Sequence, residues 1–263
     1  MIAENEEKGK YGPDKQSQRK EIYQAYAKSL IKRGLAYPCF CTPEELNEIR
    51  EKQEAAKIRP GYYGIWAKYR NFPIDEAAQK IKNGEEYIIR FKSQGREDRK
   101  IKHKDIIKGN IEFPENDQDI VIIKADGLPT YHFAHVVDDH LMRVTHVIRG
   151  DEWVSSIPLH LELFKTLVFK PPKYAHTATI MKEENGSKRK ISKRKDPEAA
   201  VSYYHEEGIP KEAVIEYLLN IANSNFEPWR RANKDASLSQ FELQLNKRSV
   251  SGAVFDMVKL LDV

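Results

Sequence analysis

From Ser17 to Arg33 the apolar residues recur three and four apart, Ile22, Tyr26 and Leu30 beside Tyr23, Ala27 and Ile31, and Gly34 follows. That spacing predicts an amphipathic helix with a glycine stop. Tyr37–Cys41 reads as a short extended piece. Thr42-Pro43-Glu44-Glu45 is a capping box with proline at the first helical position, so a second helix runs from about Pro43 to about Lys57, where Arg59-Pro60-Gly61 breaks it. A shorter helix is expected over 74–82, closed by Asn83-Gly84. Glu86–Phe91, with Tyr87, Ile88, Ile89 and Phe91, reads as a strand. Further short strands are expected over 101–107 and 111–113, with a turn at Gly109-Asn110 between them. Asp119–Lys124 reads as a buried strand ended by the Asp126-Gly127 turn. From 36 to about 125 the chain thus mixes helices with short, antiparallel strands, a pattern that suits an inserted α+β domain.

The pattern then changes. A helix-like turn over 130–138, a strand over 143–148, a helix over 156–169 with Pro158 in its first turn, and a strand over 177–181 follow one another. Strand, helix, strand is an α/β unit, whose functional groups collect at strand ends. Two more helices are expected: Pro197–Glu207, with Asp196 as N-cap, and Pro210–Asn223. Residues 1–16 are polar, contain Gly9, Gly12 and Pro13, and read as a connecting loop into the first helix.

Composition narrows the function. Lys and Arg number 44 against 40 Asp and Glu, so any nucleic-acid surface has to be local rather than global. No apolar run reaches membrane-spanning length, and the first eight residues carry no signal core. Cys39 and Cys41 are the only cysteines; one residue apart, they are poorly placed for a mutual disulfide, which agrees with a reducing cytoplasm.

Four stretches carry candidate chemistry. Ser187–Lys195 holds six cations in nine residues, with Lys190-Ile191-Ser192-Lys193 at its centre, and Asn185-Gly186 favours a turn just before it. It reads as a tethered, accessible loop able to bring ammonium groups and a hydroxyl to a polyphosphate, or as a solvated charge run. Thr130–His140 packs three histidines and two aspartates into eleven residues. This suits a polar-substrate site better than a metal site, since no zinc-type His spacing with an intervening glutamate occurs. Arg149 ends an apolar strand beside Gly150, a place from which a guanidinium can grip a carboxylate with two hydrogen bonds; a structural ion pair to Asp151 or Glu152 is the other reading. Cys39-Phe40-Cys41 is at most half of a zinc site.

Taken together, the sequence resembles the bacterial-type glutamyl-tRNA synthetases, which are class I aminoacyl-tRNA synthetases. The resemblance rests on Lys15–Arg19, Gly127–Ala134, Val136–Met142 with Thr145–Trp153, and Lys190–Lys195, in that order. It implies an α/β fold: an incomplete Rossmann-like catalytic domain with an inserted α+β acceptor-binding domain and a following helical stem-contact region. The implied division is 1–35 and 126–181 for the catalytic halves, 36–125 for the insertion, and 182–263 for the signature loop and stem-contact helices.

The implied reaction is ATP-dependent activation of L-glutamate to glutamyl-adenylate, followed by transfer to tRNA in the cytoplasm. Lys190, Ser192 and Lys193 would be catalytic. Lys193, Ile180 and Met181 would bind ATP, which arrives with Mg2+. Tyr131, His135, Arg149 and Trp153 would bind glutamate. Many relatives have asparagine where this chain has His135. Trp66 and Lys68 stand where some relatives complete a zinc site, so no zinc is expected. The family's first strand with its histidine–glycine signature would precede residue 1, and its anticodon-binding domain would follow residue 263. On that reading the chain is an internal piece that by itself forms little or no adenylate. A non-catalytic tRNA-binding remnant and a paralogue that glutamylates a modified tRNA base are the alternatives.

Overall fold

A computed structural model describes residues 9–262. In chain order, a 3-10 turn (Gln16–Arg19) leads into α1 (Lys20–Lys32), then β1 (Ala36–Cys39), α2 (Pro43–Ala55), α3 (Ile74–Lys82), β2 (Ile88–Phe91), β3 (Lys100–Asp105), β4 (Gly109–Pro114) and β5 (Val121–Ile123). These are followed by α4 (Tyr131–Leu141), β6 (His146–Gly150), α5 (Ile157–Leu167), β7 (Lys173–Thr177), β8 (Met181–Glu184), β9 (Ser187–Lys190), α6 (Val201–Glu206), α7 (Lys211–Ala222), α8 (Phe226–Ala232) and α9 (Met257–Leu261). The reading of residues 1–16 as a loop lies partly outside the described residues. Two compact units emerge: one runs through Ile101 and includes Glu112–Thr145 and Ser156–Pro172; the other comprises Lys102–Ile111, His146–Ser155 and the chain from Lys173 onward.

In the first unit, α1 buries the Tyr23, Ala27 and Leu30 face of its stripe, and Gly34 follows at φ +69°. β1, β2 and β5 form an antiparallel sheet in that order, with Ala36 opposite Phe91 and Ile89 opposite Ile123. Tyr23, Phe91, Ile122, Phe133, Leu163 and Phe164 meet in one core; complete burial of such side chains contributes about 2–3 kcal/mol each. A second cluster gathers Tyr37, Cys39, Phe40, Tyr62, Tyr69 and Ala77. The capping box of α2 forms in both directions, Glu45 N–H to Thr42 Oγ1 at 3.2 Å and Thr42 N–H to the Glu45 carboxylate at 3.1 Å. α4 is longer than the helix-like turn expected, because Phe133, Ala134, Val136 and Val137 give it a continuous buried side.

In the second unit, β6 and β7 pair in parallel, with Arg149 opposite His176. Both strands lie later or earlier than the apolar pattern suggests. The expected 143–148 strand begins at His146, and the strand expected over 177–181 is 173–177, where Tyr174, Ala175 and His176 are buried. A buried histidine inside a strand is what a hydropathy reading passes over. The turn between β3 and β4 also falls earlier than Gly109-Asn110. Asp105 Oδ1 accepts the N–H groups of Ile107 and Lys108, both at 2.9 Å, and so sets the turn at 106–108. Three more elements depart from expectation downstream. The first half of the basic stretch is not a loop: β8 and β9 make an antiparallel hairpin across Asn185-Gly186, both at positive φ as a type I′ turn requires. Asp196 does not cap a helix. Pro197–Ala199 is a 3-10 turn, and α6 begins only at Val201.

Candidate active site

The parallel strand β6 delivers Arg149 at its C-terminal end. Gly150 follows and ends the strand. Neither ion pair considered for Arg149 uses its neighbours: Asp151 faces Lys108 at 3.4 Å, and Glu152 faces Lys190 at 3.2 Å. The Arg149 guanidinium instead donates from Nε to His176 Nε2 at 2.9 Å and from Nη2 to the Trp153 carbonyl at 3.2 Å, and it lies 4.9 Å over the Tyr174 ring. His176 Nδ1 lies 2.6 Å from Asp105 Oδ2, whose carboxylate also takes the His176 backbone N–H at 3.1 Å.

Both His176 and Asp105 are buried. Burial lowers His176 below the ordinary imidazole value; Asp105 opposes that shift and the charge on Arg149 adds to it. Burial works to raise the Asp105 carboxyl. The N–H of Lys108, the His176 ring and the N–H of Ile107 outweigh it and hold it below the usual carboxylate value. A neutral His176 with its proton on Nδ1 satisfies every bond, since Nε2 must accept from Arg149. Neither residue stands out in the sequence. Their contact spans 71 positions, and the one local hint is Asp105 ahead of the turn at 106–108.

The basic hairpin reaches the same edge of the second unit. Lys190, more than half exposed, ends β9 and pairs with Glu152. Arg189 forms a two-pronged bond to buried Asp196, Nη1 to Oδ2 and Nη2 to Oδ1, both at 2.7 Å, and Asp196 Oδ2 also accepts the Ser192 N–H at 2.9 Å. These bonds hold the Asp196 carboxyl well below its usual range, with Arg189 the leading cause and the Ser192 N–H next. Lys182 adds ion pairs to Asp196 and Glu198. The Ile191–Lys195 turn is therefore pinned at both ends while Lys193, Arg194 and Lys195 remain exposed. Ile180 precedes the hairpin and Met181 opens it: Ile191 N–H donates to the Ile180 carbonyl at 3.1 Å, and Met181 is held between Ala253 and Phe255 by backbone bonds of 2.8 and 2.7 Å.

Tyr131 and His135 belong to the first unit. They stand one turn apart on α4 with rings stacked, centroids 5.8 Å apart. His135 Nδ1 lies 3.2 Å from Asp139, and His132 Nδ1 lies 2.9 Å from Nε2 of the fully buried His160 on α5. The polar run over 130–140 is thus split by role. Asp138 is structural, accepting from Arg19 Nε at 2.8 Å and from the Tyr23 hydroxyl at 2.6 Å, and His140 stacks on Phe169. Arg149, Trp153, Ile180, Met181, Lys190, Ser192 and Lys193 lie in the second unit.

Cys39 and Cys41 each place Sγ 3.4 Å from the Tyr62 hydroxyl. The hydrogen bond from Cys41 lowers the Cys39 thiol, and Cys41 rises in turn, so one thiol ionises at the other's expense. Lys68 pairs with Glu45 at 2.6 Å. Among the described residues no group of three or more His, Cys, Asp and Glu could hold a metal ion, and no helix is long and apolar enough to cross a membrane.

A strand-end arginine and a pinned lysine turn thus lie on one edge of the parallel β6–β7 pair. The sequence agrees in class: residues 2–262 match the family model described as tRNA synthetases class I (E and Q), catalytic domain, and the chain belongs to that family. Among its relatives, it is 60% identical to the glutamate–tRNA ligase of Clostridium beijerinckii over 263 residues, all of this chain and 48% of that protein. It is 54% identical to the glutamate–tRNA ligase of Acetivibrio thermocellus over 259 residues, 98% of this chain and 47% of that one. The crystal structure of a glutamate–tRNA ligase from Elizabethkingia meningosepticum, solved in complex with its amino acid, superposes with a TM-score of 0.81 at 34% identity, covering 96% of this chain and 53% of that one. The chain therefore spans about half the length of the curated relatives it matches.

Proposed function

We propose that this chain supplies the glutamate-reading and phosphate-reading groups of a glutamate–tRNA ligase, which activates L-glutamate with ATP and esterifies tRNA with the product. The observation that carries the reading is the meeting of β6 and the basic hairpin through the Glu152–Lys190 pair, three residues beyond Arg149. Arg149 offers a planar set of donors suited to the substrate's carboxylate. Trp153, whose carbonyl accepts from Arg149, belongs to the same amino-acid site, and Tyr131 and His135 are the glutamate-binding candidates of the first unit. Lys193 faces the ATP phosphates, while Ile180 and Met181 support the nucleotide.

In the activation step the glutamate α-carboxylate attacks the α-phosphorus of ATP, the bond to the β-phosphate oxygen breaks, and pyrophosphate leaves. Negative charge grows on the leaving group, and cations already fixed in place stabilise it without reorganisation. Lys190 and Ser192 shape the turn that carries Lys193. Mg2+ enters as part of the ATP substrate. Residues 36–125, in which α2 and α3 fall between β1 and β2 of the antiparallel β1–β2–β5 sheet, act as the inserted acceptor-end domain, and the helices after 196 contact the tRNA stem.

Aminoacylation by the complete polypeptide that carries this chain, with ATP, glutamate and tRNA, tests the reading. Lys193→Ala should lower kcat about a hundredfold or more, the usual effect of losing one transition-state donor, with KM for glutamate little changed. Tight tRNA binding without any glutamyl ester would instead make the protein a tRNA-binding module.

A further inference from the structure

We propose that Asp105 and His176 are positioning residues for Arg149 and thereby set the preference for a carboxylate over a carboxamide; the proposal rests on Arg149 reading the amino-acid substrate. Of the five N–H donors of a guanidinium, Nε–H is committed to His176 and one Nη2–H to the Trp153 carbonyl. Two bonds on different nitrogens, with the Tyr174 ring beneath, fix both the plane and the rotation of the group.

The partner's chemistry matters as much as its place. A carboxylate against Nε would hold Arg149 equally well but would cancel its charge. A neutral imidazole holds it by a lone pair and brings no negative charge of its own against the guanidinium, with the negative charge of Asp105 one ring further away. That arrangement works in one tautomer only. Asp105 accepts from Nδ1–H at 2.6 Å and is itself locked by the N–H groups of Ile107, Lys108 and His176, so the proton cannot sit on Nε2 without facing the Arg149 Nε–H donor to donor. Asp105 thus acts on the substrate through two residues, from the tip of the β3–β4 turn.

The test compares His176→Leu, His176→Gln, Asp105→Asn and Arg149→Ala in aminoacylation by the complete polypeptide, with glutamate and glutamine as competing substrates. His176→Leu and Asp105→Asn should raise KM for glutamate at least tenfold, leave KM for ATP within twofold, and shrink the glutamate-over-glutamine preference. His176→Gln, whose amide oxygen can still accept from Nε, should recover part of the loss. Nitrogen-15 NMR of the unsubstituted protein should show His176 as the neutral Nδ1–H tautomer, a readout that does not depend on any variant folding. An Nε2–H tautomer overturns the proposal. So does an unchanged glutamate KM in both His176→Leu and Asp105→Asn while Arg149→Ala raises it, and in that case the reading of Arg149 itself survives. If Arg149→Ala changes nothing, both fall.

Discussion

Replacing Asp138 by alanine should unfold the first unit more readily than any surface change of the same size. Asp138 is the shared acceptor for the Arg19 guanidinium, 2% exposed, at 2.8 Å and for the hydroxyl of the fully buried Tyr23 at 2.6 Å. Its removal leaves a buried cation without a counter-charge, which typically costs about 3–5 kcal/mol. The orphaned hydroxyl adds about 1–3 kcal/mol. Two carbonyls, of Tyr11 and Pro13, still accept from Arg19 Nη1 at 3.2 and 3.1 Å and soften the loss, so the net expectation stays at about 3–5 kcal/mol. For a domain of 150 to 250 residues that corresponds to a Tm lower by about 6–20 °C. The assay is urea unfolding followed by tryptophan fluorescence in a Trp153→Phe, Trp229→Phe background. Trp66 is then the sole tryptophan and reports the first unit alone. The triple change Arg19→Met, Tyr23→Phe, Asp138→Leu removes the three polar side-chain partners at once and should restore most of the loss, because a well-packed apolar replacement of a buried ion pair is often near neutral. A cost below about 1 kcal/mol for Asp138→Ala, or a triple variant as unstable as the single one, would refute the reasoning.

Two further outcomes follow from local features. Thr42→Ala removes one half of the α2 capping box and should destabilise the first unit by about 1 kcal/mol in the same urea assay, whereas Thr42→Ser should be nearly silent. In the second unit, burial holds His176 and His103 below the ordinary imidazole value. The unfolded chain therefore takes up protons first as pH falls. Stability should be full above about pH 6.5 and decline below it, by up to about 1.4 kcal/mol per pH unit for each imidazole, until the folded-state value is reached. Unfolding monitored at Trp229 between pH 5 and 8 checks the sign, and stability that rose on acidification would contradict it.

Where local chemistry decides an element, the sequence was a good guide. Gly34 ends α1, the Thr42 box starts α2, Asn83-Gly84 closes α3, and Asn185-Gly186 turns the hairpin, each for a reason contained within a few residues. Where a distant partner decides, it was not. Asp196 has the look of an N-cap beside Pro197, yet Arg189 and the Ser192 N–H claim its carboxylate, and the helix starts later. His176 makes Lys173–Thr177 too polar to be taken for a core strand until Asp105, 71 positions away, satisfies its ring. The candidate site followed the same division. Arg149 and the lysine turn were legible from their strand-end and turn contexts, while Asp105 and His176, which hold the arginine, were not.

The central claim is that Arg149 reads the carboxylate of an amino acid activated at the phosphate-reading lysine turn. It is tested most directly by the affinity of the complete polypeptide for the stable sulfamoyl mimic of glutamyl-adenylate against its glutaminyl counterpart. A charge-assisted hydrogen-bonded pair of about 2.7 kcal/mol corresponds to a preference of about a hundredfold, which Arg149→Ala should reduce to less than tenfold. Equal binding of the two mimics, or a preference that survives Arg149→Ala, would contradict the account.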